Sequence, residues 1–350
     1  MLSKTSGVLH PNFKWNGQFV TQAELVTKAS DYCANGADFE KQIGSFILDW
    51  FSNSSTIELH TSGTTGSPKS MSIAKKAMIN SAIATGLFFD LKPSASALLC
   101  LPVNYIAGKM MLVRSFVLGL ELDTVEPTAT PLETNKKTYD FCAMVPLQVQ
   151  NSIGELHRIK QTIVGGAKVS EALKTQLLSL PNPIFETYGM TETVSHIAIK
   201  RIGETAFTTV PTIKIETDSR GCLIIHAPSI LEKPLVTNDL VELISTTQFN
   251  FIGRIDSVIN SGGIKLFPEQ IETALAAAIE ERFFIIGAPD NQLGEKVVLV
   301  IEGAKRAVPT AIFDLLAPYQ KPKEIRFISQ FLLTESGKIR RKASFDLSHV

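Results

Sequence analysis

Residues Thr61 to Lys69 read Thr-Ser-Gly-Thr-Thr-Gly-Ser-Pro-Lys, a run whose parts suit a polyphosphate. Gly63 and Gly66 permit backbone shapes that a Cβ forbids, so amide N–H groups can converge on an anion. Thr61, Ser62, Thr64 and Thr65 add short hydroxyl donors, and Lys69 adds a mobile positive charge. The spacing is not that of a Walker loop, because Lys69 follows Gly66 by three positions and Pro68 disfavours helix at Ser67. The plainer reading is a Ser/Thr/Gly surface loop. Two flanks favour the phosphate role: Thr56-Ile57-Glu58-Leu59 reads as a strand, and Lys75 to Leu87 as a helix. A phosphate-holding loop belongs between a strand and a helix.

Four more clusters carry chemistry-bearing residues. In Tyr188-Gly189-Met190-Thr191-Glu192 the Tyr ring can stack on a base, and Glu192 can hold Mg²⁺ beside phosphates. A buried Tyr and a surface Glu is the plainer alternative. Thr237-Asn238-Asp239 offers a carboxylate able to accept from both ribose hydroxyls, against a simple Asx-type turn. Gly253-Arg254-Ile255-Asp256 stands where the composition shifts. Arg254 there suits phosphate or ribose oxygens and Asp256 a hinge, against a surface ion pair. Ser336-Gly337-Lys338 places a lysine beside glycine in a polar loop, where it can be delivered to a reacting carboxylate; a solvated basic tail is the alternative.

The whole chain bounds what these clusters serve. Its 350 residues suggest about two domains, and 44% hydrophobic with 19% charged residues is ordinary for globular cores. Lys plus Arg and Asp plus Glu both number 34, so nothing recommends nucleic acid or an anionic membrane as partner. Four scattered cysteines and six histidines without ligand spacing fit a reduced, cytoplasmic protein without structural zinc. The apolar region from Ala97 to Leu120 is interrupted by Asn104, Lys109 and Arg114, which reads as strand plus helix and not a membrane span. The start lacks a secretory core.

The elements that must position the clusters alternate. Helical spacing runs through Gln22–Cys33 and Phe39–Phe51. Strands are expected at Ala97–Leu101, Leu120–Val125, Phe141–Val145 and Gln161–Val164, with helices at Gly108–Leu118 and Ser170–Leu180, Ser170 serving as N-cap. This alternation argues an α/β layered domain with a largely parallel sheet, whose ligands sit at the carboxyl ends of the strands. From Pro211 short alternating strands suggest a smaller β subdomain. After Gly253 come a hairpin around Ser261-Gly262-Gly263, a helix from Pro268 to Ile279, two strands, a short helix near Ala311–Leu316 and a basic tail.

In order, these motifs resemble those of the adenylate-forming superfamily, the acyl- and aryl-CoA synthetases, adenylation domains and luciferase. The similarity spans about Thr56 to Lys342. It implies an α/β fold: a large N-terminal domain (1–253) of mostly parallel layered sheets with a small β subdomain, and a small mobile α+β C-terminal domain (254–350). It implies ATP, Mg²⁺ and coenzyme A, with a small carboxylate as partner, no nucleic acid and no membrane span; a homo-oligomer is left open. The loop with Thr61, Ser62, Gly63, Thr65, Gly66 and Lys69 would embrace the β- and γ-phosphates, Thr191 lying in the second nucleotide motif. Thr64 and Glu192 would neighbour Mg²⁺, and Gly166, Ala167 and Tyr188 would line the adenine pocket. Asp239 would bind ribose with Arg254 beside it. Lys338 would contact the reacting carboxylate, Asp256 would be the hinge, and Gly262 and Gly263 would face the incoming thiol.

Within the superfamily the chain looks most like the o-succinylbenzoate–CoA ligases of menaquinone biosynthesis. That likeness rests on Leu101-Pro102-Val103-Asn104-Tyr105-Ile106-Ala107-Gly108, the helix through Arg114, and Tyr188 to His196. It makes Arg114, Lys109 and Ser195 candidates for the acyl site, where a second, unactivated carboxylate needs donors or a cation. Two departures bear on the acid. Only 60 residues precede the phosphate loop, where the family carries a longer N-terminal subdomain, and Asn104-Tyr105 replaces the usual aromatic-His pair. The alternatives are a CoA ligase for another aryl or fatty acid, a truncated nucleotide-binding protein without catalysis, and a partner of a carrier protein.

Overall fold

The computed structural model describes residues 7–61, 69–133, 135–333 and 339–348. Two helices open the chain, Gln22–Asn35 and Asp38–Phe51. Thr21 caps the first in a reciprocal box: its hydroxyl accepts from the Glu24 amide at 3.3 Å, and Glu24 accepts from the Thr21 amide at 2.7 Å. The second buries Ile43, Phe46, Ile47 and Trp50, the helical spacing of one apolar face.

Six parallel strands then run side by side in the order Lys14–Trp15, Glu121–Thr124, Ser96–Leu99, Tyr139–Met144, Ile159–Val164 and Ile184–Gly189. Because side chains alternate along a strand, each faces two cores. Ala97, Leu99, Phe141 and Ala143 join one core with Met78, Met110, Val113 and Phe116 from the helices Lys75–Phe89 and Ile106–Leu118. Leu98, Cys142 and Met144 join a second with Leu173 and Leu177 of the helix Glu171–Leu178. Each buried Leu, Met, Val or Phe among them contributes roughly 1.5–3 kcal/mol, the alanines less. Ser170 caps that last helix as expected, its hydroxyl accepting from the Leu173 amide at 3.2 Å.

Beyond Gly189 the sheet turns antiparallel. His196–Arg201, Phe207–Thr209, Gln248–Arg254, Leu235–Ser245, Cys222–His226 and Lys214–Thr217 extend it edge to edge. The β region expected from Pro211 therefore continues the parallel sheet in one hydrogen-bonded order. A separate five-stranded sheet follows, built from Ile259–Ser261, Ile264–Leu266, Phe283–Asp290, Gly294–Glu302 and Glu324–Ile328. Gly262 and Gly263, at φ +59° and +82°, make the two-residue turn of its first hairpin. The helix expected to reach Ile279 covers Pro268–Leu275, and its apolar face continues as a tight turn in which the Ala278 amide donates to the Leu275 carbonyl at 2.9 Å.

The segment around the phosphate loop differs from expectation. Thr56–Thr61 pairs antiparallel with Lys69–Ala74, and the helix Lys75–Phe89 starts only after that second strand. Alternation explains it: Ile57, Leu59 and Ile73 all point into the core, so 69–74 reads with period two. Among the described residues no helix is long and apolar enough to cross a membrane.

Candidate active site

Two of the parallel strands bring Gly166, Ala167 and Tyr188 to their carboxyl ends. The strand Ile159–Val164 runs into Gly165-Gly166-Ala167, with Gly166 at φ +85° and both Gly166 and Ala167 exposed. A Cβ on Gly165 would stand 2.5 Å from the Thr187 hydroxyl of the next strand, and that hydroxyl would have to rotate away to admit it. One strand over, Tyr188 sets its ring among Phe207, Phe249 and Phe251, with centroids 5.9, 5.1 and 6.2 Å away.

The Tyr188 hydroxyl donates to Asp239. The same buried carboxylate accepts from Arg254 Nη1 at 3.2 Å, while Arg254 grips Asp256 through Nε at 2.9 Å and Nη2 at 2.8 Å. Four expected site residues thus form one chain of contacts. Burial, then the Asp239 charge, raises the Tyr188 phenol well above its usual range, so it remains a donor. The Arg254 hydrogen bonds hold Asp256 below the usual carboxylate range, and Asp256 in turn raises the guanidinium.

A second cluster lies just past Gly189. Thr191–Thr193 is a single 3-10 turn, and Glu192 on it is exposed. Thr193 knits the turn: its Oγ1 accepts from the Met190 amide at 3.0 Å and stands 2.8 Å from the Ser195 carbonyl. Val194 sits at φ +68°, ψ −47°, with the Ser195 amide donating back to the Thr193 carbonyl at 2.7 Å. This γ-turn hand is rare and strained for a β-branched residue, at a cost of order 1–3 kcal/mol. It sends Ser195 and His196 toward the helix Ile106–Leu118, where Arg114 lies 2% exposed.

Arg114 Nη2 donates to Ser195 Oγ at 2.6 Å, and Nε donates to Thr85 Oγ1 at 3.3 Å. His196 Nδ1 is 3.5 Å from Nη2, and its Nε2 is 3.1 Å from Thr85 Oγ1. Among the described residues no acidic side chain pairs with this guanidinium. Burial pulls it down to about 9, which leaves it cationic at neutral pH. Burial and then the Arg114 charge hold His196 well below the usual imidazole range.

Lys109 is not brought to this cluster. Its Nζ donates to the Val103 carbonyl at 2.6 Å and lies 5.4 Å from the Phe46 ring centroid. Five residues along a helix turn the side chain by roughly 140° from Arg114. Thr61 and Lys69 face each other as the last pair of their hairpin, while Ser62, Gly63, Thr64, Thr65, Gly66 and Lys338 lie outside the described residues. Sequence reasoning did not single out Thr85, a hydroxyl in a largely apolar helix. His196 carried a signal only as the end of the Tyr188 motif.

A family model described as AMP-binding enzyme matches residues 53–219. The chain is 38% identical to an acyl-CoA synthetase (AMP-forming)/AMP-acid ligase II-like protein from Dyadobacter fermentans, over 93% of this chain and 98% of that one, with a TM-score of 0.62. The chain belongs to the AMP-binding enzyme family. Family and relatives together make it an AMP-forming acid–thiol ligase. It is also 26% identical to a 2-succinylbenzoate–CoA ligase of Listeria monocytogenes, over 87% of this chain and 73% of the relative. An O-succinylbenzoate coenzyme A synthetase from Bacillus subtilis, solved with ATP and magnesium ion, shares the fold at a TM-score of 0.74 and 20% identity, over 83% of this chain and 69% of that one. In this AMP-binding enzyme the Gly165-Gly166-Ala167 turn, the Tyr188–Asp239–Arg254 chain and the Arg114 cluster all border the strand ending at Gly189.

Proposed function

We propose that the chain activates 2-succinylbenzoate to its acyl adenylate with ATP and transfers the acyl group to CoA, a step of menaquinone biosynthesis. The observation that carries this reading is Arg114: a buried cation without an acidic partner among the described residues, held by Ser195 beside the nucleotide motifs. Such a charge suits a ligand carboxylate, which the second acid group of 2-succinylbenzoate supplies. The names of the relatives agree with it.

In this reading Tyr188, Gly166 and Ala167 flank adenine, and Asp239 meets the ribose hydroxyls. The 61–69 loop holds the phosphates. Lys338 offsets the charge that builds as the carboxylate attacks the α-phosphorus and pyrophosphate departs. CoA thiolate then displaces AMP at the acyl carbon, with Gly262 and Gly263 facing it and residues 254–350 swinging about Asp256 between the two steps. Among the described residues no cluster of three or more His, Cys, Asp or Glu side chains could cage a metal. An exposed carboxylate at Glu192 with the Thr64 hydroxyl instead suits Mg²⁺ that keeps water and phosphate oxygens as its main ligands. When bound, the ion neutralises phosphate charge.

The test is an incubation of protein, MgATP, CoA and 2-succinylbenzoate. AMP, pyrophosphate and the thioester are expected in equal amounts. Absence of all three rejects the substrate, and a panel of aryl and fatty acids in a pyrophosphate-release assay then identifies the acid used.

A further inference from the structure

Thr85, on the helix Lys75–Phe89, touches three groups at once. Its Oγ1 lies 3.0 Å from the Ser81 carbonyl, 3.3 Å from Arg114 Nε and 3.1 Å from His196 Nε2. A hydroxyl has one proton to give, and a carbonyl can only accept. The bond to the carbonyl four residues back is the habitual one for a helical threonine. The proton therefore goes to Ser81, and the lone pairs accept from Arg114 Nε–H and from His196 Nε2–H.

That fixes the ring. His196 carries its proton on Nε2 and presents a bare Nδ1, which faces Arg114 Nη2 at 3.5 Å and Ser195 Oγ at 3.4 Å. Ser195 Oγ accepts from Arg114 Nη2 and has its own proton free for Nδ1. The other tautomer, or a charged ring, would aim Nδ1–H at the guanidinium N–H donors. Arg114 is the charged side chain facing the ring; Thr85 and Ser195 are neutral. Nε and Nη2 are thus spoken for, and among the described residues no hydrogen bond reaches Nη1.

We infer that Thr85 and His196 are positioning residues: together with Ser195 they lock the Arg114 guanidinium by one edge and leave Nη1 for an anionic group of the acid substrate. The inference rests on the proposed role of Arg114. It makes the pocket selective for acids that carry a second carboxylate, because a monocarboxylate leaves a desolvated cation without its counter-charge.

The experiment compares Thr85→Val, Thr85→Ser and His196→Gln with wild type in pyrophosphate release, using 2-succinylbenzoate and benzoate as acids. Thr85→Val is expected to raise KM for the dicarboxylate about tenfold. KM for ATP should move by less than about twofold. Thr85→Ser, which keeps the hydroxyl, restores the wild-type KM. Nitrogen-15 NMR of wild-type His196 should show the neutral Nε2–H tautomer between about pH 6 and 8. That signal needs no mutant to fold. A ring protonated on Nδ1, or a Thr85→Val enzyme with an unchanged dicarboxylate KM, overturns the inference while the proposed function stands. A wild-type enzyme that activates no dicarboxylate overturns both.

Discussion

Asp239 and Arg254 stand directly opposite each other on paired antiparallel strands, and Tyr188 reaches the same carboxylate from the parallel half of the sheet. One buried acid thereby joins three segments that lie 51 and 15 positions apart in sequence. Arg254 extends the link to Asp256, just before the chain enters the second sheet. The residues proposed to meet the nucleotide and the junction between the two sheets thus share one hydrogen-bonded unit.

Asp239→Asn tests that unit. The amide keeps the size but lacks the charge, so Arg254 keeps only Asp256 as a carboxylate partner and Tyr188 loses its charged acceptor. Stability should fall by about 1–3 kcal/mol, read by thermal melting. KM for ATP should rise at least about tenfold with the acid KM little changed. Equal rises in both would place Asp239 in general folding and not at the ribose.

Gly189→Ala probes the turn between the two clusters. An added Cβ would lie 2.4 Å from the Ser195 carbonyl oxygen and 2.6 Å from His196 Cα, both backbone atoms of the paired strand. The strands must part there, and Ser195 and His196 move off Arg114. A stability loss of about 2–4 kcal/mol is expected, together with loss of turnover on the dicarboxylate. A variant with wild-type melting would show that the strand pair has slack.

Much of this site was legible before folding. Tyr188, Asp239, Arg254 and Asp256 could be singled out because each sits in a short motif whose residue types suit base stacking, ribose or phosphate contact, or a hinge. The Tyr188–Asp239 contact could not, since it joins residues 51 positions apart and depends on how the whole sheet assembles. Val194 shows the sharper limit. A valine at φ +68° contradicts local preference, and only the surrounding packing holds it there. The strand 69–74 was hidden for another reason: glycine and proline in the preceding loop mask the start of a period-two run. Thr85 carried no sequence signal at all, because its role comes from a residue 111 positions away.

Lys168 follows the Gly165-Gly166-Ala167 turn and crosses to the helix Pro268–Leu275, donating to Thr273 Oγ1 at 2.5 Å and to the Glu269 carbonyl at 3.4 Å. Ser257 supports that helix from beneath by donating to Glu269 at 3.0 Å. Lys168→Met keeps the stem and removes the donors. If these bonds hold residues 254–350 in place, tryptic cleavage near Arg254 should accelerate about fivefold in native buffer, the effect of about 1 kcal/mol. Unchanged cleavage would mean that the lysine merely rests on the helix.

Acid should loosen the parallel sheet through Asp140. This carboxylate accepts from the Ser96 amide at 2.7 Å, the Ser96 hydroxyl at 2.8 Å and Lys160 at 2.6 Å, tying three neighbouring strands. Burial pushes the group up, but the Lys160 and Ser96 hydrogen bonds outweigh it, and the net effect holds Asp140 below the usual carboxylate range. The unfolded chain then binds this proton at a higher pH than the folded one. The stabilisation is complete above the unfolded value of about 4 and drains away as pH falls through the lower folded value. Asp140→Asn should cost about 1–2 kcal/mol at neutral pH and flatten this part of the acid limb. Chemical denaturation of both proteins between about pH 3 and 7 measures it. Parallel curves, with the same loss at every pH, would show that Asp140 acts through shape and not through its charge.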